Sequence, residues 1–260
     1  MKRAHAFEFE DLQWFPAHIR NYGTEYFQFV ANLSDFYKNI LPVIRKGIEK
    51  SGCHHVIDIG SGGGGGWVKL AERLQKDIPD LRVTLTDLYP NRNAFEAMVR
   101  KNPRVFSFET EPVSALNVPA RLTGLRTQFL SFHHFRPKEA QQILQNAVDR
   151  RVPIALFEAQ AREIIYLIRF TLAPLVVLFL TPFIRPFRLG RLLFTYIIPI
   201  VPLFVLWDAL VSVLRTYRIP EMEEMTHGLE DGDLYEWEIG KRKNGPTTIL
   251  YLLGYPKDNK

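Results

Sequence analysis

An α/β fold is predicted by three observations. Five short apolar runs, at 56–59, 81–85, 105–108, 127–132 and 152–157, alternate with helical patterns. The first run stops at a tract with almost no side chains, Gly60-Ser61-Gly62 followed by four more glycines. The chain closes on two further runs, 234–240 and 247–255, joined through Asn244-Gly245-Pro246, a hairpin signal. Together they predict a seven-stranded sheet with helices on both faces, its last two strands antiparallel.

The 260 residues suit one domain with an insertion, and 47% hydrophobic content is ample for a core. A single cysteine, Cys53, excludes an intrachain disulfide and suggests a reducing compartment. The start, Met-Lys-Arg-Ala-His, carries charge without an apolar segment behind it, so no signal peptide is expected. The net charge is +5, and residues 160–219 hold seven arginines against Glu163 and Asp208. Residues 221–238 then hold eight acids and no Lys or Arg. A nucleic-acid binder would more often spread its cations over a polar face, so no nucleic acid is expected as partner.

Residues 1–50 are expected to form an N-terminal helical cap. Tyr22, Tyr26, Phe29, Val30 and Leu33 keep helical spacing, Tyr37, Ile40, Leu41 and Ile44 continue it, and Pro42 is expected to interrupt it. Glu10 to Pro16 before them reads as an aromatic turn. Val56, Ile57 and Ile59 form a buried parallel strand, and Trp67, Leu70, Ala71 and Leu74 follow the glycines at helical spacing. Strand, glycine turn and helix make half of a nucleotide-binding βαβ unit. A phosphate-cradling loop would need Lys-Ser or Lys-Thr next, and Trp67-Val68 stands there. A dinucleotide loop could use Gly60, Gly62 and Gly65, but Asp58 sits inside the strand end.

Asp58-Ile-Gly60-Ser61-Gly62-Gly-Gly64 resembles motif I of the class I, Rossmann-like S-adenosylmethionine (SAM) methyltransferases. The resemblance covers roughly residues 50–158 and 233–256 and implies SAM as cofactor, with the glycine loop beneath its methionine part. Asp58 then helps order the site. Asp87, at the end of the second strand, has the carboxylate a ribose diol requires; its alternative role is a helix N-cap. The resemblance places Leu88 and Tyr89 beside the adenine. Ser114 stands where the family often has an acid for the adenine amino group, and Ser131 at the fourth strand is a further cofactor candidate.

Ser-Phe-His133-His134-Phe resembles the Leu-His-His segment of many small-molecule methyltransferases. Histidine titrates near working pH, which suits a general base. Neighbours on a strand face opposite sides, so one imidazole is expected to enter the pocket, His133 in preference to His134. The alternative is that both pack locally. No third ligand recurs at suitable spacing, so no metal is expected. Glu158, ending the fifth strand, would line the acceptor pocket or cap the next helix.

The nucleotide-binding unit thus spans 51–160 and 230–260, with an apolar helical insertion at 161–220 between strands five and six. Residues 164–184 and 192–214 are each long enough to span a bilayer. Pro174, Pro182, Pro186, Pro199 and Pro202 divide them into short helices, and Arg185, Arg188 and Arg191 in the connecting loop oppose a hairpin across the membrane. Asp208, Ser212 and Arg215 share one helical face. The expectation is a cytoplasmic protein whose insertion lies on the inner face of a membrane with arginines snorkelling to headgroups, or else a lid over a greasy pocket. The functional expectation is SAM-dependent methylation of a small or lipid-like acceptor. The rivals are an NAD-binding relative of the fold and a membrane-associated scaffold without catalysis.

Overall fold

The computed structural model describes residues 1–245 and 247–257; Pro246 of the expected hairpin turn lies outside the described residues. Seven strands form one sheet: β1 (His55–Ile59), β2 (Arg82–Thr86), β3 (Phe106–Phe108), β4 (Leu125–Phe129), β5 (Ile154–Glu158), β6 (Tyr235–Asn244) and β7 (Thr247–Pro256). Their order is β3-β2-β1-β4-β5-β7-β6, with β1 to β5 parallel and β7 antiparallel to both neighbours. The order reverses between β1 and β4, where Val56 pairs with Leu125 and Asp58 with Thr127. A crevice opens there at the carboxyl ends of the strands, the usual ligand position in open α/β sheets.

Among the described residues ten α-helices accompany the sheet: α1 (Ala17–Leu33), α2 (Leu41–Ser51), α3 (Trp67–Leu74), α4 (Arg92–Lys101), α5 (Pro137–Asp149), α6 (Ile164–Phe170), α7 (Ala173–Leu180), α8 (Leu189–Leu192), α9 (Ile200–Arg215) and α10 (Ile219–His227). One sheet face packs on α2, α3 and α4 through Ile44, Ile48, Trp67, Leu70 and Phe95. The other packs on α5 and α10 through Ile143, Leu144, Met222 and Met225. Trp67, Leu70, Ala71 and Leu74 are all buried, as their spacing requires. Pro42 does not interrupt a helix. It sits in the first turn of α2, where its missing N–H costs nothing.

The region before α1 is no helix. Residues 1–16 form an extended strap with one 3-10 turn, Phe9–Asp11. Asp208 on α9 fastens it by accepting from the Phe9 N–H (2.8 Å) and the Glu10 N–H (3.1 Å). The polar stripe of α9 therefore faces the strap, with Arg215 paired to Glu8 (3.0 Å) and Asp11 (2.6 Å). Helix α1 and the insertion share one apolar cluster, in which Ile19, Tyr22 and Tyr26 meet Val177, Val201 and Phe204.

The insertion is a run of short helices, and no single helix among the described residues is long and apolar enough to cross a membrane. The expected snorkelling of its arginines is overturned at four positions. Arg191 is 1% exposed and donates to Glu25 (2.6 Å) and to the Ile184 and Pro186 carbonyls. Arg188 meets the other Glu25 oxygen at 3.2 Å, Arg162 meets Glu221 at 2.6 Å, and Arg215 serves the strap. A guanidinium prefers a fixed carboxylate and carbonyl fork to a free headgroup when the fold offers one.

Candidate functional site

The glycine tract leaves β1 and turns beneath α1. Gly62 has φ +55° and Gly64 φ +96°, conformations that side chains oppose. At Gly63 the constraint is contact: a Cβ would lie 2.6 Å from the Thr24 carbonyl oxygen of α1. Loop and cap helix thus touch backbone to backbone. Ser61 clasps the loop to the sheet. Its N–H donates to Thr86 O (2.9 Å), its hydroxyl donates to Asp58 O (3.0 Å), and that hydroxyl accepts from the Thr86 N–H (3.2 Å).

Asp87 follows β2. Its Oδ2 accepts from the Gly62 N–H and its Oδ1 from the Tyr89 N–H, both at 2.8 Å. Burial raises its carboxyl above the ordinary range, against these two bonds. The helix N-cap alternative fails, because Asn91 caps α4 by accepting from the Ala94 N–H.

A cavity of about 760 Å³ lies between this edge of the sheet, α1 and the insertion. Gly60, Ser61, Gly62, Asp87, Leu88, Ser114 and Ser131 line it, as do His133 and His134. Three of the sequence candidates stand behind its wall instead. Gly64 packs on α4, where a Cβ would meet Met98 at 1.9 Å. Asp58 is buried and accepts from the Thr127 hydroxyl (2.7 Å). Glu158 neither lines the pocket nor caps a helix; it holds His133 through the backbone N–H (3.0 Å) and Nδ1 (2.8 Å).

Burial raises the Asp58 carboxyl to about 6. The unfolded chain then releases this proton at lower pH than the folded one, so the group lowers stability progressively from about pH 4 to pH 6. Asp58→Asn keeps an oxygen for Thr127 and lacks this slope. Its unfolding free energy relative to the parent is expected to improve between those pH values and to stay level above them. Urea titrations at several pH values check this, and a constant difference contradicts it.

The two histidines do not lie on a strand. After β4 the chain passes through Leu130 at φ +50° into one 3-10 turn, Phe132–His134. The rings lie side by side, 4.4 Å between centroids and 30° apart, and both reach the cavity. Strand alternation therefore does not choose between them. Glu8 of the strap places Oε2 at 3.7 Å from His133 Nε2 and 3.5 Å from His134 Nδ1, and Asp11 meets His134 at 2.6 Å. Burial lowers both imidazoles, but the carboxylates outweigh it and raise them, Glu158 leading for His133 and Glu8 for His134. The carboxylates thus favour the charged form of each ring. The third group beside the histidines arrives from 125 residues away, so the spacing argument against a metal does not hold.

Other groups had little or no sequence signal. Arg20 ties the strap to α1 by donating to the Glu10, Leu12 and Phe15 carbonyls, and stacks 4.4 Å over Tyr89. Gln128 lies in β4 with both amide atoms buried at the cavity wall, and neither they nor the buried Ser131 hydroxyl has a hydrogen-bond partner among the described residues. A glutamine inside a buried strand was a readable signal.

No family model matches the chain, and no curated protein matches it in sequence. Solved structures do. Human N-acetylserotonin methyltransferase in complex with SAM aligns with 96% of this chain and 63% of its own at a TM-score of 0.51 and 12% identity. An O-methyltransferase family protein from Burkholderia thailandensis aligns over 86% and 59% at a TM-score of 0.44 and 14% identity. The chain thus spans about three fifths of the length of these structures. At such identity the first likeness shows the fold: a seven-stranded, class I methyltransferase-like sheet.

Proposed function

We propose that the chain is a SAM-dependent methyltransferase acting on a small or lipophilic acceptor. One observation carries this reading: the glycine loop and the Asp87 carboxylate meet on one wall of a cavity closed by α1 and the insertion. The fold likeness to a structure holding SAM supports it. The wall suits a polar cofactor, because the Ser131 hydroxyl and Gln128 amide are buried there without partners among the described residues.

SAM, when bound, supplies a methyl group on a sulfonium that an acceptor atom can attack in line. Asp87 would accept from the ribose hydroxyls while keeping its bonds to Gly62 and Tyr89. Leu88 and Ser114 would flank the adenine, and Gly60, Ser61, Gly62 and Ser131 the rest of the cofactor. Asp58 and Gly64 act from behind the wall by holding the loop. At the acceptor end His133 and His134 orient the acceptor, with Glu158 as a positioning residue for His133. The chain's main contribution is proximity and alignment. Incubation with methyl-labelled SAM and a panel of phenols, amines and fatty acids tests the activity. Label in an extractable product is expected; no transfer to any acceptor by protein that binds SAM contradicts catalysis.

The acceptor side also supports the lipophilic reading. Tyr166, Phe170, Ala173, Val176 and Val205 of the insertion line the cavity. The insertion also exposes Phe179 on α7 (72%), Leu189 on α8 (76%) and Ile197 after it (75%), together with Ile164, Ile168, Leu175 and Leu203. So large an exposed apolar set marks an interaction surface. In this proposal it lies in one leaflet, driven by apolar burial, since four of the arginines are already paired within the chain. The protein is expected to float with neutral phosphatidylcholine vesicles and to stay bound at high salt. Failure to float with any vesicle would return the insertion to a lid.

A further inference from the structure

We propose that Glu8, His133 and His134 bind one first-row divalent transition-metal ion at the acceptor end of the cavity. One ligand atom from each lies within 4.8 Å of the other two. Glu8 Oε2 stands 3.7 Å from His133 Nε2 and 3.5 Å from His134 Nδ1. Metal bonds of about 2.0–2.1 Å in a tetrahedron separate neighbouring ligands by about 3.4 Å, so small adjustments admit an ion.

The surroundings prepare each ligand. Glu158 Oε2 lies 2.8 Å from His133 Nδ1. A proton held on Nδ1 leaves the lone pair on Nε2, and a metal-binding imidazole is usually anchored by such a carboxylate. His133 is 2% exposed, and its Nε2 has no hydrogen-bond partner among the described residues. That nitrogen faces the Glu8 carboxylate at 3.7 Å, beyond hydrogen-bond reach, a gap that a cation between them would fill. Arg215 engages Glu8 through Oε1, so Oε2 is left to turn toward the rings. His134 Nδ1 contacts Asp11 Oδ1 at 2.6 Å. The ion takes the place of any proton on His133 Nε2 and of that on His134 Nδ1, each of which leaves to solvent, and Asp11 is in reach as a fourth ligand.

Two imidazoles and a carboxylate favour zinc, cobalt or ferrous iron over magnesium or calcium, which prefer oxygen. The three ligands come from one turn and the strap, and all three line the cavity, so a position on the ion can face the acceptor. There the ion would bind an acceptor oxygen and lower its pKa. This role rests on the methyl-transfer reading; the site itself does not.

The test is titration of the purified, chelator-stripped full chain with Co²⁺, read by its visible absorption. One equivalent is expected to give intense bands of low-coordinate Co²⁺, removed by competing Zn²⁺. Glu8→Gln and His134→Ala should each weaken Co²⁺ at least tenfold, and Glu158→Gln about tenfold through ring orientation. Glu8→Gln keeps the shape of the side chain, and circular dichroism confirms that each variant is folded. Calorimetry with SAM on the same variants should show unchanged affinity, so failure of the metal site and failure of the cofactor site are told apart. No bands with the folded parent, or equal binding in folded Glu8→Gln and His134→Ala, overturns the proposal.

Discussion

Asp87→Ala is expected to weaken SAM binding at least tenfold, about 1.4 kcal/mol or more. The carboxylate does two things at once. It accepts from the Gly62 and Tyr89 N–H groups at 2.8 Å each, which fixes the loop and the turn after β2. It also presents oxygen lone pairs to the cavity, where the proposed cofactor places its ribose. Alanine leaves two backbone donors without an acceptor and removes the ribose contact. Asp87→Asn retains one acceptor oxygen and should fall between alanine and the parent. Gly62→Val attacks the same wall from the backbone side, since φ +55° opposes a β-branched residue and Thr24 lies 3.4 Å from the added Cβ. Unchanged affinity in both Asp87→Ala and Gly62→Val would remove the cofactor proposal.

Arg215→Met is expected to cost about 3–5 kcal/mol of stability, the usual penalty for removing one partner of a buried ion pair. Arg215 is 3% exposed, and its guanidinium meets Glu8 at 3.0 Å and Asp11 at 2.6 Å. Glu8 is itself 2% exposed. Methionine matches much of the side-chain length but leaves these carboxylates facing one cation fewer. Either the folded state loses that energy, or residues 1–16 lift away to rehydrate Glu8. Urea unfolding reads the first outcome, and faster proteolysis before α1 reads the second. Parent-like stability together with parent-like protection of the strap would contradict the pairing.

What was legible in the sequence was local. The β-branched run at 56–59, the glycine tract and the helical spacing from Trp67 each lie within a dozen residues, and the structure reproduces them. The position of Asp87 after β2, beside the glycine loop, was readable because strand ends in an open parallel sheet gather at one edge. Pro182, Pro186 and Pro199 lie between the α-helices of the insertion, as expected of a missing N–H, whereas Pro174 and Pro202 sit in the first turns of α7 and α9 and break neither.

What was not legible depended on distant partners. Glu8 reaches the histidines across 125 residues, and Arg215 reaches Asp11 across 204. Nothing in the spacing of 1–16 announces that contact. The arginines of 160–219 looked like headgroup ligands because Glu25 and Glu221, which hold three of them, lie outside that segment. The histidine turn was misread as strand because apolar Phe129, Leu130 and Phe132 continue the pattern of β4 past its last paired residue. Leu130 at φ +50° ends the strand there, a backbone choice that leucine does not advertise.

The central claim is that the glycine-loop wall of the cavity is built for SAM. Calorimetric titration of the purified chain with SAM and, separately, with NAD tests it most directly. A saturable one-site isotherm with SAM and no heat of binding with NAD is the predicted result. Saturable binding of NAD without binding of SAM, or binding of neither by folded protein, would contradict it.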